Sequence, residues 1–165
     1  MKSPKYLMLC GIPTSGKSTF IKKLIKSKAW KNSIVLSTDN YIEKEAERLN
    51  TSYDLIFQQS IAVANYDLNL YRNYAIENSL NIIHDQTNLT IKTRRQKLSK
   101  IPDFYSKIGL YFTITLEDAL ERNKNREGKY IPEIVMKQMF DKFQIPTFNE
   151  NFNFISQYKL NDRDT

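Results

Sequence analysis

KYLMLCGIPTSGKST, residues 5–19, decides the fold. Lys5 to Cys10 form a near-continuous apolar run, the pattern of a strand buried on both faces. Gly11-Ile12-Pro13-Thr14-Ser15-Gly16-Lys17-Ser18 then fits G-x-x-x-x-G-K-[ST]. In that pattern the N–H groups of the loop turn inward onto phosphate oxygens, and the positive end of the following helix reinforces them. Lys17 reaches the β- and γ-phosphates, and Ser18 can hold Mg2+. A glycine turn kept only for structure needs neither Lys17 nor Ser18. Gly11, Pro13, Thr14, Ser15, Gly16, Lys17, Ser18 and Thr19 are therefore the candidate nucleotide-binding residues. A guanine reader would carry N-K-x-D. The nearest match, NKNR at 123–126, lacks the aspartate, which favours ATP.

Outward from the loop, strands and helices alternate. FIKKLIKSK (20–28) has helical period, and SIVLS (33–37) reads as a second buried strand. A polar helix is expected over 42–49, then a long helix over 53–80 with Ser52 as its N-cap. NIIHD (81–85) is a third strand and IKTRRQKLSK (91–100) a basic helix stopped before Pro102. IGLYFTIT (108–115) is a fourth strand, followed by helices over 116–126 and 132–143. NFNFISQYKL (151–160) supplies a fifth strand. This alternation predicts an α/β fold: a three-layer arrangement with a parallel sheet flanked by helices. The expectation is one domain over 1–165, with a lid at about 122–131.

Hydrophobic residues make up 41% of the chain, which excludes a disordered protein. No apolar stretch approaches the ~20 residues of a membrane span. The start, MKSPKYLMLCGIP, runs straight into the glycine loop and reads as a strand rather than a secretion signal. The lone cysteine, Cys10, reads as a small buried strand residue and fits a reducing compartment. The expected location is the cytoplasm, or a host's cytoplasm for a viral protein. The net charge of +7 suits a polyanionic partner, although many basic proteins bind none.

Three further sites carry chemistry. Asp39 follows the second strand, and parallel strands bring their carboxyl ends together beside the phosphate loop. A carboxylate there can take the proton of an attacking hydroxyl; it could equally cap a helix starting near Tyr41. Asp85 ends the third strand, where an acid can help position Mg2+ together with Ser18. Thr87 and Asn88 stand next to it as acceptor-side candidates, and an Asx turn is the competing reading. His84 precedes Asp85 on the strand, faces the opposite way, and reads as structural. In ERNKNREGKYIP (121–132), Arg122 and Arg126 are four apart and would share a helical face. A mobile segment carrying them could close over ATP and offset charge on the transferring group. The competing reading is a solvated helix end.

Taken together, GIPTSGKST, TDNY, DQTNLT followed by RR, and RNKNREGKYIPEIV…MFDKF resemble the kinase domain of phage and animal polynucleotide 5′-hydroxyl kinases, within the wider P-loop kinase group. The resemblance covers residues 5–150. It implies an adenylate-kinase-like sheet, use of ATP and Mg2+, and phosphoryl transfer to a hydroxyl. It also implies Lys17 and Ser18 on phosphate and metal, Asp39 as general base, Arg122 and Arg126 as lid arginines, and Asp85 to Asn88 lining the site. The phage enzymes carry an arginine three residues after the base aspartate, which grips the acceptor's phosphate. Ile42 stands there in this chain, with Lys44 the nearest basic residue. The phosphatase domain often attached to the family is not expected within this chain.

The leading reading is thus an ATP-dependent kinase of the 5′-hydroxyl of DNA or RNA. Lys92, Arg94, Arg95, Lys97 and Lys100 are candidate phosphate contacts. Competing readings are a kinase of 5-hydroxymethyl pyrimidines in DNA, which would need a pocket for a displaced base, and a small-molecule P-loop kinase. A non-catalytic nucleotide-binding protein would need Lys17 and Ser18 but not Asp39 or the arginines.

Overall fold

β1 (Lys5–Cys10) runs through the middle of a five-stranded sheet. This computed structural model describes residues 3–159 of the chain. Around β1 the chain forms α1 (Lys17–Leu24), β2 (Ile34–Leu36), α2 (Thr38–Arg48), α3 (Tyr53–Glu77), β3 (Ile82–Asp85), α4 (Ile91–Leu98), β4 (Ser106–Thr113), α5 (Leu116–Lys124), α6 (Glu133–Lys142) and β5 (Phe154–Lys159). The strand order is β2-β3-β1-β4-β5, and every pairing is parallel. The expected parallel sheet between helical layers is present. Leu160, the last residue of the predicted fifth strand, lies outside the described residues, as do Met1 and Lys2.

The unbroken apolar run of β1 has a simple cause. Alternate side chains enter opposite cores. Tyr6, Met8 and Cys10 pack with Leu36, Ala75, Ile82 and Leu98 on one face. Leu7 and Leu9 pack with Ile21, Trp30, Ile83 and Phe112 on the other. Cys10 is fully buried as expected, and burial pushes its thiol up to about 12.

Helix boundaries follow their caps. Ser37 caps α2, its hydroxyl accepting from the Asn40 N–H at 3.3 Å. Asp39 therefore sits inside the first turn and is not the cap. Ser52 does precede α3, but it makes no side-chain cap bond. Thr90 caps α4 by accepting from the Thr93 N–H, which removes the capping role weighed for Asp85. α5 stops at Lys124 and a loop runs to Pro132, so Arg126 lies beyond the helix that carries Arg122. The expected shared helical face does not exist. A short 3-10 turn at Phe148–Glu150, absent from the sequence reading, delivers Glu150 to the interior.

The basic helix α4 also differs from expectation. Arg94 is fully buried and forks onto Glu150, with Nε donating to Oε2 at 2.6 Å and Nη2 to Oε1 at 2.9 Å. Its Nη1 donates to the carbonyls of Asn88, Leu89 and Gln144. Arg94 is a strut and not a contact for nucleic acid. Among the described residues, no helix is long and apolar enough to cross a membrane.

Candidate active site

All the parallel strands end on the same side, so the segments after β1, β2 and β3 open into one cavity of about 1060 Å3. Ordinary small-ligand sites run from ~300 to 1,000 Å3, so this one has room for a nucleotide and a second reactant. Lys17 and Ser18 line it from the loop after β1, Asp39 from α2 and Asp85 from the end of β3. Arg122 lines it from α5 and Arg126 from the following loop.

The phosphate loop is built as its glycines require. A Cβ at Gly11 would come within 2.9 Å of Ser15 Oγ and 3.1 Å of Phe112. Gly16 takes a left-handed φ of 94° just before α1, a conformation glycine adopts at least cost. Three of the candidate residues also take part in holding the loop's shape. The Gly11 N–H is committed to the Thr87 carbonyl at 2.9 Å. The Ser15 hydroxyl donates to the Ile12 carbonyl within the loop. Pro13 has no N–H to offer. These three residues shape the loop. Thr14 ties it to α5 through its hydroxyl on the Ala119 carbonyl, while its own carbonyl faces Arg122 Nη1 at 3.5 Å.

Lys17 is buried, and its ammonium donates to the carbonyls of Gly11 at 2.9 Å and Ile12 at 2.7 Å. Burial lowers its pKa to about 8, with Asp85 and Asp39 pulling the other way. Burial raises the Asp85 carboxyl to about 6, Lys17 opposing and Asp39 adding to the rise. The two acids thus face one lysine. Among the described residues no group of three His, Cys, Asp or Glu could hold a metal. A divalent ion here would need phosphate oxygens and water besides Ser18 and Asp85, as Mg2+ commonly does.

Arg126 gives the fit test for a nucleotide. Its Nη1 is buried in the cavity wall with no hydrogen-bond partner among the described residues. A buried, unsatisfied guanidinium donor is costly, and a phosphate oxygen is the acceptor a guanidinium fork suits best.

Sequence reasoning missed Tyr53. Its hydroxyl donates to Asp39 Oδ1 at 2.8 Å. Burial, then the Asp39 charge and the hydrogen bond, push the phenol well above its usual range, so it remains a donor. Lys129 joins this corner from the loop after α5, with its ammonium 4.9 Å from the Tyr53 ring centre and paired with Glu43. Nothing in linear sequence links positions 39, 53 and 129. The one sequence signal is the cap-type serine at Ser52, which places an aromatic residue at the start of α3.

On the far wall, Asn88 lines the cavity. It is buried, with its amide nitrogen on the Leu9 and Gln86 carbonyls and its oxygen on Lys97. The Thr87 carbonyl holds Gly11, and its residue remains in the cavity lining. His84 is buried between Tyr6 and Gln86, and burial lowers its pKa to about 3.

Comparison with known proteins accords with this geometry. A family model described as AAA domain (AAA_33) matches residues 7–146. L-seryl-tRNA(Sec) kinase of Methanococcus maripaludis is 33% identical over 143 residues, which are 85% of this chain and 52% of that protein. The chain thus spans about half the length of this curated relative. A chain of the Pnkp1/Rnl/Hen1 RNA repair complex superposes with a TM-score of 0.68 at 21% identity, covering 93% of this chain and 48% of that one. A chain of the PezAT chromosomal toxin-antitoxin system of Streptococcus pneumoniae gives 0.71 at 13% identity, over 96% and 69%. Shikimate kinase from Acinetobacter baumannii, in complex with shikimate, gives 0.57 at 17% identity, over 97% and 87%. These structural likenesses speak for the fold, and the sequence matches speak for descent. The chain belongs to the AAA_33 family of AAA domains.

Proposed function

We propose that this chain transfers the γ-phosphoryl group of ATP to a hydroxyl carried by a nucleic acid, with the 5′-hydroxyl end of RNA or DNA as acceptor. One observation carries the reading: the Asp39 carboxylate, held by the Tyr53 hydroxyl, shares a cavity with Lys17, Asp85 and two arginines. ATP supplies the phosphoryl group, and Mg2+ offsets its negative charge. Asp39 accepts the proton of the acceptor hydroxyl as its oxygen bonds to the γ-phosphorus and the bond from that phosphorus to the β,γ-bridging oxygen breaks, with ADP leaving. Lys17 and the loop N–H groups hold the phosphates, and Ser18 with Asp85 positions the metal. Arg122 and Arg126 offset the charge that builds on the transferring group. The segment 122–131 is the lid that brings Arg126 in. The net charge of +7 and the likeness to an RNA repair complex chain support a nucleic-acid acceptor.

A second reading has its own support. The 33% identical relative is named a kinase of L-seryl-tRNA(Sec), so an aminoacyl hydroxyl on tRNA is the alternative acceptor. Incubation with γ-labelled ATP, Mg2+ and either 5′-hydroxyl oligonucleotides or seryl-tRNA separates the two. Label at the 5′ end, lost in Asp39→Asn by a factor of about 10²–10⁴, is the expected result. Label only on the seryl group selects the alternative. Label on neither, with ATP bound, rejects both acceptors.

A further inference from the structure

Lys97 is built into the cavity wall in an unusual way. Its ammonium donates to Gln86 Oε1 at 2.5 Å and to Asn88 Oδ1 at 2.6 Å. Both acceptors are neutral amides, and among the described residues no carboxylate lies within ion-pair reach. Both amides are themselves fixed. Asn88 Nδ2 donates to the Leu9 and Gln86 carbonyls, and Gln86 Nε2 donates to Thr38 Oγ1, next to Asp39. Lysine can only donate, so Gln86 Oε1 must accept. His84 Nε2 then carries a proton and donates to the same oxygen at 3.0 Å. Burial already keeps His84 neutral, so its bare Nδ1 accepts from the Tyr6 hydroxyl. A chain of oriented groups thus starts in the sheet and ends by aiming two oxygens at one ammonium. That ammonium has a third hydrogen.

A partly buried cation without a counter-charge is costly, and burial lowers the pKa of Lys97 to about 8. It lines the cavity, and its partner Gln86 reaches Thr38, the residue before Asp39. Ile42, the position at which the phage enzymes place an arginine, is fully buried and is not part of the cavity lining.

We propose that Lys97 binds the phosphodiester adjacent to the reacting 5′-hydroxyl and so selects acceptors bearing an anionic group there. This rests on the nucleic-acid reading given above. A carboxylate on a small acceptor would answer the same chemistry, and the test separates the two sources.

The probes are a 5′-hydroxyl oligonucleotide and the same oligonucleotide with an uncharged methylphosphonate at its first linkage. The wild-type acceptor KM should rise at least about tenfold on the methylphosphonate, the loss of a hydrogen bond to a charged group. Lys97→Met should show that higher KM on both oligonucleotides and no longer tell them apart, while Lys97→Arg should retain discrimination. ATP KM and melting temperature report on the fold of each variant. Equal wild-type KM values on the two oligonucleotides would overturn the contact while leaving the 5′-end reading intact. So would a Lys97→Met loss confined to kcat or to stability. Wild-type transfer to neither oligonucleotide, but to a small hydroxy acid in a Lys97-dependent manner, would overturn both the phosphodiester contact and the 5′-end reading.

Discussion

Arg94→Met tests whether the basic helix is a binding face or a structural one. Arg94 and Glu150 are both fully buried, and the guanidinium makes two bonds to the carboxylate and three to backbone carbonyls. Methionine keeps much of the volume but leaves Glu150 with only Thr147 as a partner. Breaking a buried pair from one side costs ~3–5 kcal/mol. For a chain of this size each kcal/mol moves Tm by ~2–4 °C, so a drop of about 6–20 °C is expected. Thermal and urea unfolding of Arg94→Met, Glu150→Gln and the double variant give the coupling between the two sites. A variant melting within about 2 °C of wild type, below the range above, would refute the strut. Nucleic-acid binding adds an independent readout, taken well below the melt. Arg94→Met should leave the salt dependence of binding unchanged. A phosphate contact would instead reduce the slope by ~0.7–0.9.

Tyr53→Phe should lower kcat about three- to tenfold with little change in the KM for ATP, since it removes one hydrogen bond to a charged, partly exposed partner; an unchanged kcat would detach Tyr53 from Asp39. Arg126→Ala should lower kcat more than it weakens ATP binding, and equal losses would make Arg126 a ground-state contact only. Asp85 gives a pH prediction. Its folded pKa, about 6, lies above its unfolded value near ~3.9, so the folded state binds the proton more tightly. The metal-free protein should therefore lose stability as pH rises from about 4 to about 6. Asp85→Asn should flatten that slope and be the more stable form at neutral pH, as denaturant titrations at several pH values would show. An identical slope in both proteins would count against the burial of Asp85.

The fold was readable because parallel strands need apolar residues on both faces, and four such runs alternate with helical patterns, the edge strand β5 being largely exposed. Boundaries were less readable where polar contacts decide them. α1 begins at Lys17, three residues ahead of its apolar period at Phe20, because the loop's left-handed Gly16 starts the first turn. α2 begins at Thr38 because Ser37 caps it, so of the two readings weighed for Asp39 the cap is excluded and the residue sits in the first turn. Arg94 shows the deeper limit. A buried arginine and a solvated one look alike in sequence, and its partner Glu150 lies 56 residues away on a turn with no periodicity of its own.

The same reasoning separates the two halves of the cavity. The nucleotide half was readable because a single local stretch, Gly11 to Ser18, carries both backbone shape and side-chain chemistry. Its members nevertheless divide into residues that face the cavity, such as Lys17 and Ser18, and residues that only brace the loop, such as Gly11 and Ser15. The half proposed for the acceptor is assembled from three separate strand ends and three helices. Asp39 depends on Tyr53 from α3, and Lys97 on amides at the end of β3 that are anchored to β1 and α2. The bonds that anchor those amides, Asn88 to Leu9 and Gln86 to Thr38, exist only once β2, β3 and β1 lie side by side in that order. The acceptor chemistry is therefore a property of sheet order more than of any motif. For that reason the cavity carries a positive charge on this wall that no motif announces: α4 brings Lys97 into its lining, while Ile42 is buried in the core.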